Sequence, residues 1–258
     1  PQVEAEAIVA CLRSEPVLAA RVLKVANSPY YGQSGRVGSL ERAIQILGLK
    51  AIRAIAAAGA LDRLTPGSAG AAFDAQQFRR HSGAVACAAQ ALARRCLPAL
   101  DGEAFMAGLL HDIGVLLLVK SDPARMSRFE PERSGDEQAA RDREIAHFGL
   151  THEAAGVLVA EHWALPPWLA RALGRHHMHF DPATLPEAGS VSEPDSPVFV
   201  ALLGLAHRVA ARAGLVLWSC APANDSDALA ARLGLTPADL AAVVDGLPAA
   251  VEAMGLAG

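Results

Sequence analysis

Aromatic side chains are scarce in this chain: seven Phe, three Trp and two Tyr amount to 5% of 258 residues. Cysteine is scarcer, with four in all. Cys11, Cys87, Cys96 and Cys220 lie far apart and form no C-x-x-C pair. That spacing argues against the paired-cysteine metal and redox motifs. In apolar helical surroundings each Cys reads as a small hydrophobe, which favours a reducing, cytoplasmic setting. A cationic stripe is also missing. Lys and Arg number 23 against 27 Asp and Glu, for a net charge of −4, and they are scattered along the chain, so nucleic acid is not an expected partner. No segment reads as a signal peptide. The longest apolar run, Ala104–Val119, is interrupted by His111 and Asp112 and falls short of a comfortable bilayer span, so the expectation is a soluble protein with no membrane partner.

Apolar residues are plentiful, at 52% with a mean hydropathy of +0.24, and many are Ala, which suits closely packed helices. Helix punctuation recurs throughout. Val3–Leu12 and Pro16–Asn27 carry apolar residues at helical spacing. Ser39 caps a helix to Leu47 that Gly48 stops, and Lys50–Leu61 resumes it. Long helices follow at Asp74–Cys96, carrying His81, and from an Asp101 cap through His111 and Asp112 to Lys120. Further helices are expected at Asp136–His147, from a Thr151 cap to Trp163, from Pro166-Pro167 to His176 and His177, and from Ser196-Pro197 through His207. Thr236-Pro237 repeats the device, and residues His179 to Pro194 read as a polar loop. No strand-like alternation stands out, so the fold class is all-α. Thr65-Pro66-Gly67-Ser68-Ala69-Gly70 is the clearest linker-like segment, separating an N-terminal helical subdomain, residues 1–64, from a helical core, residues 71–258.

Nine histidines, at 81, 111, 147, 152, 162, 176, 177, 179 and 207, fall mostly on apolar helices. One such His is ordinarily a hydrogen-bonded boundary residue, but several together form a candidate ligand set. Asp112 lies within an apolar run, where its charge is costly unless it is paired or bound to a cation. Imidazole and carboxylate suit iron, manganese, zinc or nickel. Neighbouring residues on a helix diverge by about 100°, so His111 and Asp112 grip one ion only if it lies between their directions, with other ligands from other helices.

The order His81, then His111-Asp112, then HEAAG at 152–156, then His176-His177 resembles the HD superfamily of metal-dependent phosphohydrolases. More closely, RVLKVANSPYYG, SLERAIQILGLKAIR, AFMAGLLHDIGVLLL, THEAAGVLVAEHWALPPWLARALGRHH and LLGLAHRVAARAG are similar to an HDOD domain, from about Val3 to beyond residue 240. The resemblance implies an N-terminal helical bundle packed on an HD-superfamily helical core, the two forming one HDOD domain. It implies a bacterial regulatory output module that binds a signalling protein, an adjacent signalling domain, or a nucleotide or phosphate ligand. It also implies a mono- or dinuclear metal site of His81, His111, Asp112, His152, His176, His177 and His207. In the alternative, a metal-dependent phosphohydrolase, Asp112 is the residue closest to the chemistry.

Three departures weigh against catalysis. Val115 stands where the HD-GYP phosphodiesterases, a branch of the superfamily, carry Lys. MHFDPATLP replaces their GYP segment after the His pair. The last helix offers His207, or Arg208 one register on, in place of an Asp ligand. His147, His162 and His179 are left outside the site. Tyr30, Tyr31 and Trp163 read as packing residues.

Overall fold

Helix-capping chemistry governs where most elements begin. In the computed structural model, which describes residues 2–27, 35–48, 52, 73–131, 137–188, 191–217, 226–254 and 256, α1 (Gln2–Ser14) is followed by α2 (Pro16–Ala26) and α3 (40–48). The long α4 (Ala75–Cys96) starts where the Asp74 carboxylate accepts hydrogen bonds from the backbone N–H groups of Gln76 and Gln77. Then come α5 (Asp101–Leu110), α6 (Ile113–Ser121), the single turn α7 (Pro123–Met126) and α8 (Glu137–Phe148). Thr151 caps α9 (His152–His162), Pro167 opens α10 (Pro167–Leu173), and Ser196 caps α11 (Pro197–Arg212). After α12 (Ser226–Arg232), Thr236 and Asp239 form a reciprocal capping box for α13 (Pro237–Ala253). Among the described residues there is no strand. The expected NSPYYG break beyond Asn27, the Lys50–Leu61 helix apart from Ile52, the 65–70 linker and Cys220 lie outside the described residues.

Three sequence expectations change. The helix expected to run from Asp101 through His111 and Asp112 is two helices, with the HD pair in the turn between them. Asp101 is the first residue of α5 rather than its cap, and its carboxylate accepts from Arg94 Nε at 3.0 Å. The helix expected to reach His176 and His177 stops at Leu173. Gly174 N–H closes it onto the Ala170 carbonyl at 3.0 Å, leaving the His pair in the following turn.

Helix α4 is the central element and packs against α5, α11 and α13, while α6 packs on α9 and α9 on α10. One apolar core runs through both ends of the chain, joining Leu12, Leu23 and Leu40 to Phe105, Leu109 and Phe199. A smaller cluster gathers Phe78, Val115, Leu118, Met126 and Phe129 beneath α6 and α7. The segment Pro98–Ser121, 24 residues, is longer than the apolar run read from the sequence and is long and apolar enough to cross a membrane; 78% of its apolar window is buried in this core. Asn27 ties down the entry to α3: its side-chain amide donates to the carbonyls of Leu23 and Val37, and its oxygen accepts from Val37 N–H, each at 2.9 Å.

Two glycines set how closely the site-bearing helices approach. A Cβ on Gly108 would lie 2.7 Å from the Val85 carbonyl oxygen on α4. One on Gly114 would lie 1.9 Å from the His152 carbonyl oxygen and 2.4 Å from the Gly156 nitrogen. Both obstacles are backbone, so neither can swing aside. Gly114→Ala is expected to destabilise the fold by about 3 kcal/mol or more. Gly246→Ala on α13, where a Cβ meets nothing within 4 Å, is expected to stabilise it by about 0.5–1 kcal/mol. Urea unfolding of the two variants beside the parent protein checks both signs.

Candidate metal centre

Seven side chains converge from distant parts of the chain: His81 from α4, His111 and Asp112 from the α5–α6 turn, His152 from the first position of α9, His176 and His177 from the turn after α10, and His207 from α11. None is more than 9% exposed. These are the seven residues the sequence nominated, and the helix break at the HD pair brings two of them together. With Asp112 at φ −99° and ψ 15°, out of the regular helix, its Oδ2 lies 3.3 Å from His111 Nε2, a convergence that successive positions of an unbroken helix would oppose.

Asp112 stands between two sets of imidazoles. Its Oδ2 faces His81 Nε2 at 3.4 Å as well as His111 Nε2, and its Oδ1 faces His152 Nε2 and His176 Nε2, each at 3.5 Å. Within the sets, His81 and His111 bring their Nε2 atoms to 3.1 Å, and His152 and His176 bring theirs to 3.4 Å. His207 joins the first set, with ring centroids 5.1 Å from His81 and 5.3 Å from His111. His177 joins the second, 4.2 Å from His176 and 5.2 Å from His152. One ligand atom from each of His81, His111 and His207 lies within 4.8 Å of the others, and the same holds for Asp112, His152, His176 and His177. Either group could hold a metal ion.

The opposite ring nitrogens decide which way the lone pairs point. Nδ1 of His81 lies 2.8 Å from the Leu215 carbonyl, that of His111 2.8 Å from the Gly108 carbonyl, and that of His176 2.7 Å from the Leu173 carbonyl. A carbonyl only accepts, so each Nδ1 carries a proton and it is Nε2 that each ring turns to the centre, where it can offer its lone pair to a cation. His152 is held by a carboxylate instead, its Nδ1 donating to Glu144 at 2.8 and 2.9 Å. Bare nitrogens at 3.1 and 3.4 Å repel unless a cation, either a proton or a metal ion, sits with them. The donor set therefore fits a metal.

Charge follows from the same packing. Burial disfavours ionising Asp112, but the charge that the imidazoles around it carry with a proton or metal ion, His111 foremost, holds its carboxyl well below the usual range. Burial opposes charge on His152 too, yet the Glu144 carboxylate, with Asp112 and Glu153 behind it, raises its pKa to about 9. Burial, reinforced by neighbouring imidazoles, pushes His177 and His207 well down.

Glu144, Arg141 and Glu153 support the site, and the sequence reading did not single them out. Glu144 is 2% exposed on an otherwise polar helix and also accepts from the His152 backbone N–H at 2.7 Å. Arg141 donates to Glu153 at 2.9 Å and to the His177 carbonyl at 3.0 Å. His147 is engaged elsewhere, with the Arg125 carbonyl at 2.8 Å, and His162 and His179 are exposed outside both groups. Of the two registers on α11, His207 is the one that enters the cluster.

The metal-free protein is expected to be most stable near pH 6.5. The folded pKa of His152 is raised from 6.5 to about 9, so its contribution is complete below 6.5 and is lost as pH climbs through 9. The folded pKa values of His177 and His207 are depressed, so below 6.5 the unfolded chain takes up protons that the folded chain refuses, and stability falls again. Thermal unfolding in chelator across pH 5–10 checks this. Glu144→Gln is expected to flatten the alkaline limb and leave the acidic one.

Similar proteins agree with this architecture. Residues 1–179 match the HDOD domain family. The MmoQ response regulator of Methylococcus capsulatus is 27% identical, with 90% of this chain and 86% of that one covered and a TM-score of 0.71. A candidate phosphohydrolase of Shewanella amazonensis is 25% identical over 100% of this chain and 94% of that one, at a TM-score of 0.51. An HDOD domain protein of Geobacter sulfurreducens, 24% identical over 98% and 84%, shares the fold at 0.52. No curated protein matches at a significant level. With seven-tenths of its length matched and the same helical fold in these relatives, the chain belongs to the HDOD domain family.

Proposed function

We propose that this protein is a regulatory, signal-transduction output module in which divalent transition-metal ions, held by His81, His111, Asp112, His152, His176, His177 and His207, organise the helical core instead of driving turnover. The observation that carries the reading is the convergence of four Nε2 atoms on the two oxygens of Asp112, with the matching Nδ1 atoms occupied by carbonyls and Glu144. Six imidazoles and one carboxylate form a nitrogen-rich set that favours zinc, iron or nickel over manganese. Val115, at the position where the phosphodiesterase pattern has Lys, is 1% exposed among Phe78, Leu118 and Met126, so that position sends no cation to the site. Likeness to the MmoQ response regulator supports a signalling role. The partner is a signalling protein or adjacent signalling domain, with a nucleotide or phosphate as a ligand, in the cytoplasm.

A second reading, a metal-dependent phosphohydrolase, is favoured by Asp112 facing both imidazole sets and by likeness to the Shewanella protein. Ions bound there would supply Lewis-acid polarisation of a phosphoryl oxygen. Asp112 would serve as their shared ligand, and the carbonyl-anchored imidazoles would keep the set rigid.

Metal analysis of protein purified without chelator or affinity tag, followed by a panel of phosphoesters and cyclic dinucleotides, separates the two. The expected result is bound metal that His111→Ala/Asp112→Ala abolishes, with no turnover. Metal-dependent turnover that disappears in the double variant would select the phosphohydrolase. Metal-free protein that takes up none on addition of zinc, iron or nickel would overturn the metal site altogether.

A further inference from the structure

The two imidazole sets are supported in different ways. His81 and His111 are anchored by the carbonyls of Leu215 and Gly108, and His111 and Gly108 lie in the buried core with the α4 backbone packed against Gly108. In the second set, His152 is anchored by a side chain from α8. Of the side chains described on α8, residues 138–148, only Glu144 is buried; Ile145, beside it, is 50% exposed. An amphipathic helix is ordinarily seated by an apolar stripe, but the one buried side chain among those described on this helix is a carboxylate. Both Glu144 oxygens are committed to His152: Oε1 and Oε2 to its Nδ1 at 2.8 and 2.9 Å, and Oε2 also to its backbone N–H at 2.7 Å. That N–H is the first of α9, so the carboxylate also sits at the positive end of the α9 dipole. One turn earlier on α8, Arg141 reaches the same set through the His177 carbonyl at 3.0 Å and Glu153 at 2.9 Å. Phe148 against Phe129, with ring centroids 4.9 Å apart, and His147 on the Arg125 carbonyl complete the far end.

We infer that α8 is a latch that controls loading of the His152 half of the metal site. The inference rests on the proposal above that the site binds metal. A carboxylate that accepts from a ligand imidazole raises the basicity of the opposite nitrogen and fixes the ring. Removing such a partner typically costs about 10–100-fold in metal affinity. A metal ion on Nε2 in turn draws density from the ring and makes Nδ1–H the stronger donor to Glu144. Coupling of this kind is reciprocal: seating α8 tightens metal in the His152, His176 and His177 set, and metal there tightens α8. Among the described residues His81 and His111 are anchored by carbonyls outside α8, so a partner that draws α8 away would weaken metal in one half of the site and leave the other loaded. Glu144 is a positioning residue in this scheme.

The test uses the full chain and zinc. Zinc is titrated into metal-free protein and Glu144→Gln, binding is followed by calorimetry, and amide exchange over 137–148 is measured with and without zinc. Asp142→Asn, an exposed change on the same helix, is the control, and thermal unfolding checks that each variant is folded. The expected result is two zinc equivalents in the parent and in Asp142→Asn, with slower exchange in α8 on loading. In Glu144→Gln the first equivalent is retained, the second is weakened about 10–100-fold, and α8 exchange no longer responds. Zinc binding that leaves α8 exchange unchanged, or two equivalents weakened alike in Glu144→Gln, would overturn the latch while leaving the metal site standing. A parent protein that binds no zinc would overturn the site and the latch with it. A Glu144→Gln chain that fails to fold is replaced by Arg141→Ala, for which the same loss of α8 response is expected and an unchanged response would overturn the latch.

Discussion

An ionised carboxylate placed 6% exposed inside a helical core is the constraint around which the rest of this molecule is arranged. Removing a charge from water costs several kcal/mol even after relaxation, and the ion-pair partners of Asp112 among the described residues are imidazoles. It meets four imidazole nitrogens at 3.3–3.5 Å. Those nitrogens can neutralise a carboxylate only in company with a cation, because three of the rings have their other nitrogen committed to a carbonyl as donor. Burial of one charge therefore calls for a cationic centre, and the helices are disposed to supply it.

The surrounding packing follows from that requirement. Five elements or turns must deliver imidazoles to one centre, so their backbones have to approach closely. Gly108 against α4 and Gly114 against the start of α9 allow this. The break between α5 and α6 turns His111 and Asp112 toward a common centre. The apolar segment around them, which by length and hydropathy could cross a membrane, has most of its surface buried against the remainder of the fold. The same rigidity distinguishes the halves of the site: core carbonyls orient one set, while the polar helix α8 supports the other through Glu144 and Arg141. The two halves of the site are thus supported unequally.

Much of this was legible in the sequence. The Thr151 cap and the Ser196-Pro197 and Thr236-Pro237 starts announced their helices because local side-chain to backbone bonds decide helix starts. The order of His81, the HD pair, His152, the His pair and His207 named every side chain that converges, and the resemblance to HDOD domains agreed with the fold. The interruption at the HD pair was hidden, because GLLHDIGVLLL has helical character on both sides and no Pro or other breaker stands at residues 111–112. Glu144 was hidden for a related reason. It is one of several acidic residues on a charged helix, and its burial depends on a contact eight positions along the chain across a turn, where neither periodicity nor any motif marks it.

The central claim is that Asp112 joins two imidazole sets into one metal centre. Anomalous diffraction from crystals of the zinc-loaded protein tests it most directly. The account predicts two anomalous peaks flanking the Asp112 carboxylate, one among His81, His111 and His207 and the other among His152, His176 and His177. Peaks confined to surface histidines such as His162 or His179, with none beside Asp112, would contradict it.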